Sequence, residues 1–210
     1  LFAAKTGRRH APVSAYRMDD ARIVLVALGA AIETARSAAD RLRKLHKLRV
    51  GVVGVHALRP FPGALLADAL KNRERVLILE RADAPLSAEP PLTREVRAAV
   101  PTAATACSPI VYGLGGLPLR VADLVALCRS EPVRATRYLG IGFDDRSGDQ
   151  PKRAVLLDAL RRAYPDLAGR GVRATEAESA AGSARLTIAV HRTGEAGGEI
   201  AGAAGAFAVS

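Results

Sequence analysis

Five short apolar runs, residues 22–29, 50–55, 75–79, 106–112 and 137–143, set the strongest limit on how this chain can fold. Each has the length of a strand. The first two are apolar on both faces, which suits strands covered by helices on either side. Between the runs the period changes. After Gly29, the residues Ile32, Ala35, Ala39 and Leu42 recur at three and four positions while Glu33, Arg36, Asp40, Arg43 and Lys44 fill the opposite face, and this is the pattern of an amphipathic helix. Further helices are predicted over 63–71, 92–100, 118–128 and 152–164. Pro62, Pro118 and Pro151 stand at three of the starts and Pro90-Pro91, or Thr93, at the fourth, where a missing amide donor costs nothing. Strands alternating with helices at this spacing define an α/β fold: a three-layer α/β/α arrangement around a mostly parallel sheet of five strands.

The organisation along the chain follows from shifts in composition. Residues 1–20 are basic and irregular and read as a linker, and 21–165 form the α/β domain. Residues 166–184, rich in Gly, Ala, Glu and Ser, read as a second linker. After it, 185–190 is a strand pattern, 191–198 a glycine-bearing turn and 199–209 a small-residue helix. One βα unit cannot bury its own apolar faces, so 185–210 is expected to be the truncated start of a following domain. Leu1 in place of methionine reads the same way, as a piece of something longer.

Charge and cysteines narrow the function. The net charge is +10, enough to attract polyanions, yet the arginines are scattered and interleaved with Asp and Glu. The chain has four Phe, four Tyr and no Trp, whereas a nucleic-acid site gathers its basic residues on one face with stacking aromatics. Cys107 and Cys128 stand far apart without a CxxC, so neither zinc nor an iron-sulfur cluster finds a ligand set. They read as small buried side chains in a reducing cytoplasm. No run reaches the roughly 20 apolar residues of a membrane helix.

The chemistry-bearing residues do not assemble into a motif. The turn Gly113-Leu114-Gly115-Gly116 follows a strand but lacks the third glycine of GxGxxG, and Gly194-Glu195-Ala196-Gly197-Gly198 is looser. There is no GxSxG elbow, and His10, His46, His56 and His191 have no evident nucleophile beside them. Asp144-Asp145 is expected to be a polar turn, because two carboxylates without further oxygen donors seldom hold magnesium. Glu80, Asp83 and Glu89 share one loop at strand ends, where open α/β sheets bind ligands, but the loop is read as solvated in preference to a ligand site.

The order of several short motifs goes further. Gly7-Arg8, Tyr16, Asp20-Ala21, Ala27-Leu28-Gly29, Thr34-Ala35, Val50-Gly51-Val52, Arg59-Pro60-Phe61, Leu79-Glu80-Arg81, Glu89-Pro90, Tyr112-Gly113-Leu114 and the segment from Gly140 to Asp145 occur in sequence. In this order and spacing the chain resembles the pyruvate:ferredoxin (flavodoxin) oxidoreductases, the 2-oxoacid:ferredoxin oxidoreductase family, in the transketolase-C-terminal-like domain II. The resemblance implies a non-catalytic structural domain, preceded by a thiamine-pyrimidine-binding domain to which residues 1–20 would link. The whole enzyme would use thiamine diphosphate, magnesium, iron-sulfur clusters and coenzyme A, with ferredoxin or flavodoxin as electron acceptor and a homodimeric assembly. It places no catalytic, cofactor-binding or metal-binding residue in this stretch. The expected contacts with neighbouring domains are Arg59, Phe61, Glu80, Glu89, Tyr112 and Gly113. His56-Ala57-Leu58 and Ala84-Pro85-Leu86 depart from the family's usual residues. Two alternatives stand beside this reading: the equivalent domain of a transketolase or a 2-oxoacid dehydrogenase β-chain, and a basic module for phosphorylated ligands or nucleic acid.

Overall fold

The structure, a computed structural model, describes residues 2–7, 10–84, 87–100, 106–142 and 151–175. The chain divides into two compact units, 1–173 and 174–210; the expected strand, turn and helix of 185–210 lie outside the described residues, as does Asp144-Asp145. The first unit opens with α1 (Phe2–Thr6) and β1 (Val13–Tyr16), then β2 (Ile23–Leu28), α2 (Ala31–His46), β3 (Val50–Val55), α3 (Gly63–Leu70) and β4 (Arg75–Glu80). It continues with α4 (Pro91–Ala99), β5 (Ala106–Val111), a 3-10 turn (Leu114–Gly116), α5 (Val121–Arg129), β6 (Arg137–Leu139) and α6 (Pro151–Ala163). A second 3-10 segment (Pro165–Arg170) leads to β7 (Gly171–Val172).

The strands form one sheet in the order β1-β3-β2-β4-β5-β6-β7. All described neighbours run parallel except β1, which pairs antiparallel with β3. Strand side chains alternate between faces, and each face buries a separate core. Leu25, Ala27, Val52, Leu77, Leu79 and Ile110 meet α2 and α5, while Val24, Val26, Val53, Val76 and Ile78 meet α3 and α4. The α/β/α layering is as the alternating periods predict.

The sheet is wider than five strands for an identifiable reason. At an edge a strand pairs on one side only, so it needs no continuous apolar run, and β1 (Val-Ser-Ala-Tyr) and the two residues of β7 carry none. β1 lies within residues expected to be irregular, and β7 lies within the glycine-rich stretch after 165. In the other direction, β6 stops at Leu139 instead of running to Phe143, because Gly140 turns the chain with φ of +75°. The helix expected from Pro118 begins at Val121, since residues 113–117 are taken up by the 3-10 turn and its left-handed glycines.

Two glycines in β3 allow close packing. A Cβ on Gly54 would stand 2.6 Å from Ser14 Oγ and 2.8 Å from Ile32 Cδ1, and one on Gly51 would stand 2.6 Å from Met18 Sδ. Their absence lets β1 and the start of α2 seat against the sheet. Tyr16 then donates to Asp40 of α2 at 2.7 Å, with Arg17 and Arg36 over its ring, so an edge strand of four residues is tied down by its side chains.

Candidate functional site at the strand ends

The C-terminal ends of β3, β4 and β5 bring the sequence-predicted residues to one side of the sheet, but in three separate groups. The first centres on Glu80, the last residue of β4. It is 4% exposed, so it is not part of a solvated loop. Its Oε1 accepts from the Thr93 amide at 2.6 Å and from Thr93 Oγ1 at 2.9 Å. Thr93 lies in the first turn of α4, where backbone amides lack partners; a carboxylate from the neighbouring strand therefore takes the place of a local cap. Burial raises the carboxyl pKa of Glu80, against the hydrogen bonds from Thr93. The Glu80 carbonyl accepts the Tyr112 amide at 2.8 Å. Tyr112 is half-buried against the α2/α5 face, and burial raises its pKa while the Arg81 charge lowers it. Gly113, with φ of +75°, follows it, and Arg81 lies beside Gly113.

The second group follows β3. Arg59 is exposed and pairs with Glu95 of α4 at 2.9 Å, and Phe61 packs on the α3/α4 face of the core. His56, just past β3, lies 2.9 Å from Ser14 Oγ. The third group is Glu89 with Arg97 of α4, which form an ion pair; Arg97 also donates to the Cys107 carbonyl at 2.8 Å. Asp83, between these groups, accepts from the Tyr138 hydroxyl at 3.2 Å. Sequence reasoning missed Thr93 and Arg97 as partners. Only the prolines ahead of Thr93 and the Glu-to-Arg spacing from 89 to 97 hinted at them.

These donors do not suit a metal or thiamine diphosphate. Among the described residues no three of His, Cys, Asp and Glu gather to hold an ion. The carboxylates of Glu80 and Glu89 are already committed to Thr93 and Arg97. Cys107 and Cys128 are buried on opposite faces of the sheet, and burial pushes the Cys128 thiol up to about 12, so it remains protonated at neutral pH.

What the fold defines first is a class: a parallel α/β/α domain with one antiparallel edge strand, whose conspicuous polar side chains hold its own elements together. The comparisons then give the family. Residues 21–124 match the model described as "Pyruvate:ferredoxin oxidoreductase core domain II". The chain is similar to pyruvate synthase subunit PorA of Thermotoga maritima, 36% identical over 121 residues, 57% of this chain and 30% of that protein. PorA of Methanothermobacter thermautotrophicus is 30% identical over 142 residues, 67% of this chain and 36% of that protein. A probable pyruvate-flavodoxin oxidoreductase of Escherichia coli is 34% identical over 100 residues, 47% of this chain and 8% of that protein. Residues 21–124 are therefore a domain of the pyruvate:ferredoxin oxidoreductase family. The chain spans about a third of the length of these PorA relatives.

Proposed function

We propose that this domain serves by position within a thiamine-diphosphate-dependent 2-oxoacid oxidoreductase of the cytoplasm. The assembled enzyme would oxidatively decarboxylate pyruvate or a related 2-oxoacid to an acyl-CoA and pass electrons through iron-sulfur clusters to ferredoxin or flavodoxin. In this reading thiamine diphosphate, magnesium, the clusters and coenzyme A are held by other domains, and the assembly is a homodimer. Residues 21–165 are the positioning domain, completed by the edge strands β1 and β7 from the flanking connections 1–20 and 166–184, and 185–210 are the start of the next domain.

One observation carries the reading: the strand-end carboxylates, normally the source of ligand contacts in such sheets, are spent on internal structure. Glu80 fastens β4 to α4 through Thr93, Glu89 holds Arg97, and Arg59 holds Glu95. A surface braced in this way suits a rigid support. Arg59, Phe61, Tyr112 and Gly113, with Glu80 and Glu89 behind them, are the contacts proposed with neighbouring domains. In the complete enzyme, Arg59→Glu and Tyr112→Asp should weaken assembly on size-exclusion chromatography and lower activity in proportion to the assembled fraction. Full assembly with abolished turnover would instead make these residues catalytic and overturn the proposal.

A further inference from the structure

We infer a binding site for a phosphate or pyrophosphate group in the cleft beside β5, on the α4 side of the sheet. The cleft has a volume of about 360 Å³, at the small end of the roughly 300–1,000 Å³ typical of ligand pockets. Three guanidiniums from three separate segments line it: Arg97 from α4, Arg134 from the stretch before β6, and Arg170 from the end of the 3-10 segment before β7. Thr136 adds a hydroxyl, and Glu89 is the sole carboxylate in the lining.

The pairing of these groups decides the ligand's sign. Glu89 is taken by Arg97, which also donates to the Cys107 carbonyl. Arg134 and Arg170 form no ion pair with any described residue. Arg17, Arg22, Arg43 and Arg59, by contrast, each hold a carboxylate. Among the described residues, two cations without a carboxylate line a concave space beside a third that Glu89 balances, and this leaves the cleft electropositive. Guanidinium groups present planar pairs of donors that match phosphate oxygens in a way ammonium groups do not. A cleft of this size admits a phosphoryl or pyrophosphoryl group and a small attached moiety. The inference rests on side chains, not on the family reading, and stands or falls separately from it.

Calorimetric titration of the 210-residue chain with inorganic pyrophosphate, and in parallel with ADP, at physiological ionic strength tests the site. The expected result is saturable one-to-one binding of pyrophosphate that weakens at least tenfold in Arg134→Ala/Arg170→Ala and is unchanged in Arg22→Ala. Tighter binding of ADP would assign the group to a nucleotide-like ligand, and equal binding to the phosphoryl group alone; either sustains the site. Absence of saturable binding, or equal affinity in the double variant, overturns it. Arg134 is exposed, so Arg134→Ala alone, with its thermal melt unchanged, guards against a loss caused by unfolding.

Discussion

Glu80 is where the chemistry of a single side chain most shapes the fold. It ends an apolar run and faces the first turn of α4, so its carboxylate is dry and yet doubly hydrogen-bonded by Thr93. Removing the acceptor strands the Thr93 amide in the interior, and Glu80→Ala should cost about 1–3 kcal/mol in urea unfolding; Glu80→Gln, which keeps an acceptor, should cost less. The pH dependence has a definite sign. Burial raises the carboxyl above its ordinary 4.5, so over the interval between the unfolded and the folded value the native state binds more protons. The contribution of this group is then fully present below the unfolded value and is lost as pH rises through the folded one. Unfolding wild type and Glu80→Gln at several pH values should show wild type losing stability relative to the variant as pH rises through that interval; a relative gain would contradict the assignment. The sequence placed Glu80 at a strand end correctly but could not say that Thr93, thirteen residues on, would meet it. That contact depends on where α4 lies over the sheet.

Elements are held together by a few residues whose identity local pattern does not reveal. Arg75 begins β4 and is buried, and its guanidinium donates to the carbonyls of Cys128, Ser130 and Leu127 at 3.0–3.4 Å. It thus caps the C-terminus of α5, where backbone carbonyls lack partners and a cation is favoured. Burial lowers its pKa, partly offset by the nearby Cys128 and Glu131 side chains. Arg75→Met should destabilise by about 2 kcal/mol, since three carbonyls lose a charged donor while only one desolvated charge is relieved. Arg75→Lys should rescue little, because one ammonium cannot span them; near wild-type stability of Arg75→Met in urea would show the cap to be unimportant. Gly54→Ala should also destabilise, by about 1–3 kcal/mol, because the new methyl meets Ser14 and Ile32. The central strands and α2 were legible because burial on two faces, or on one helical stripe, imposes a period. β1 and β7 were not, because edge pairing rests on backbone hydrogen bonds and needs only a few half-buried side chains.

The first unit, residues 1–173, is a parallel sheet between helices, with one antiparallel edge strand. Among the described residues Arg17, Arg22 and Arg43 each hold a carboxylate, whereas Arg97, Arg134 and Arg170 meet at the cleft beside β5. Among the described residues no helix is long and apolar enough to cross a membrane. The family could be read from eleven short motifs in order, each of them weak by itself. The candidate contacts were legible only as positions at strand ends, because their partners come from elements distant in sequence. Under the proposed function this chain supports chemistry performed elsewhere. Calorimetric titration of the purified chain with thiamine diphosphate and magnesium, followed by an assay for pyruvate-dependent reduction of a viologen dye, tests it most directly. The expected result is no dye reduction above buffer, and no thiamine diphosphate binding beyond what inorganic pyrophosphate displaces from the cleft beside β5. Tight binding accompanied by turnover would contradict it.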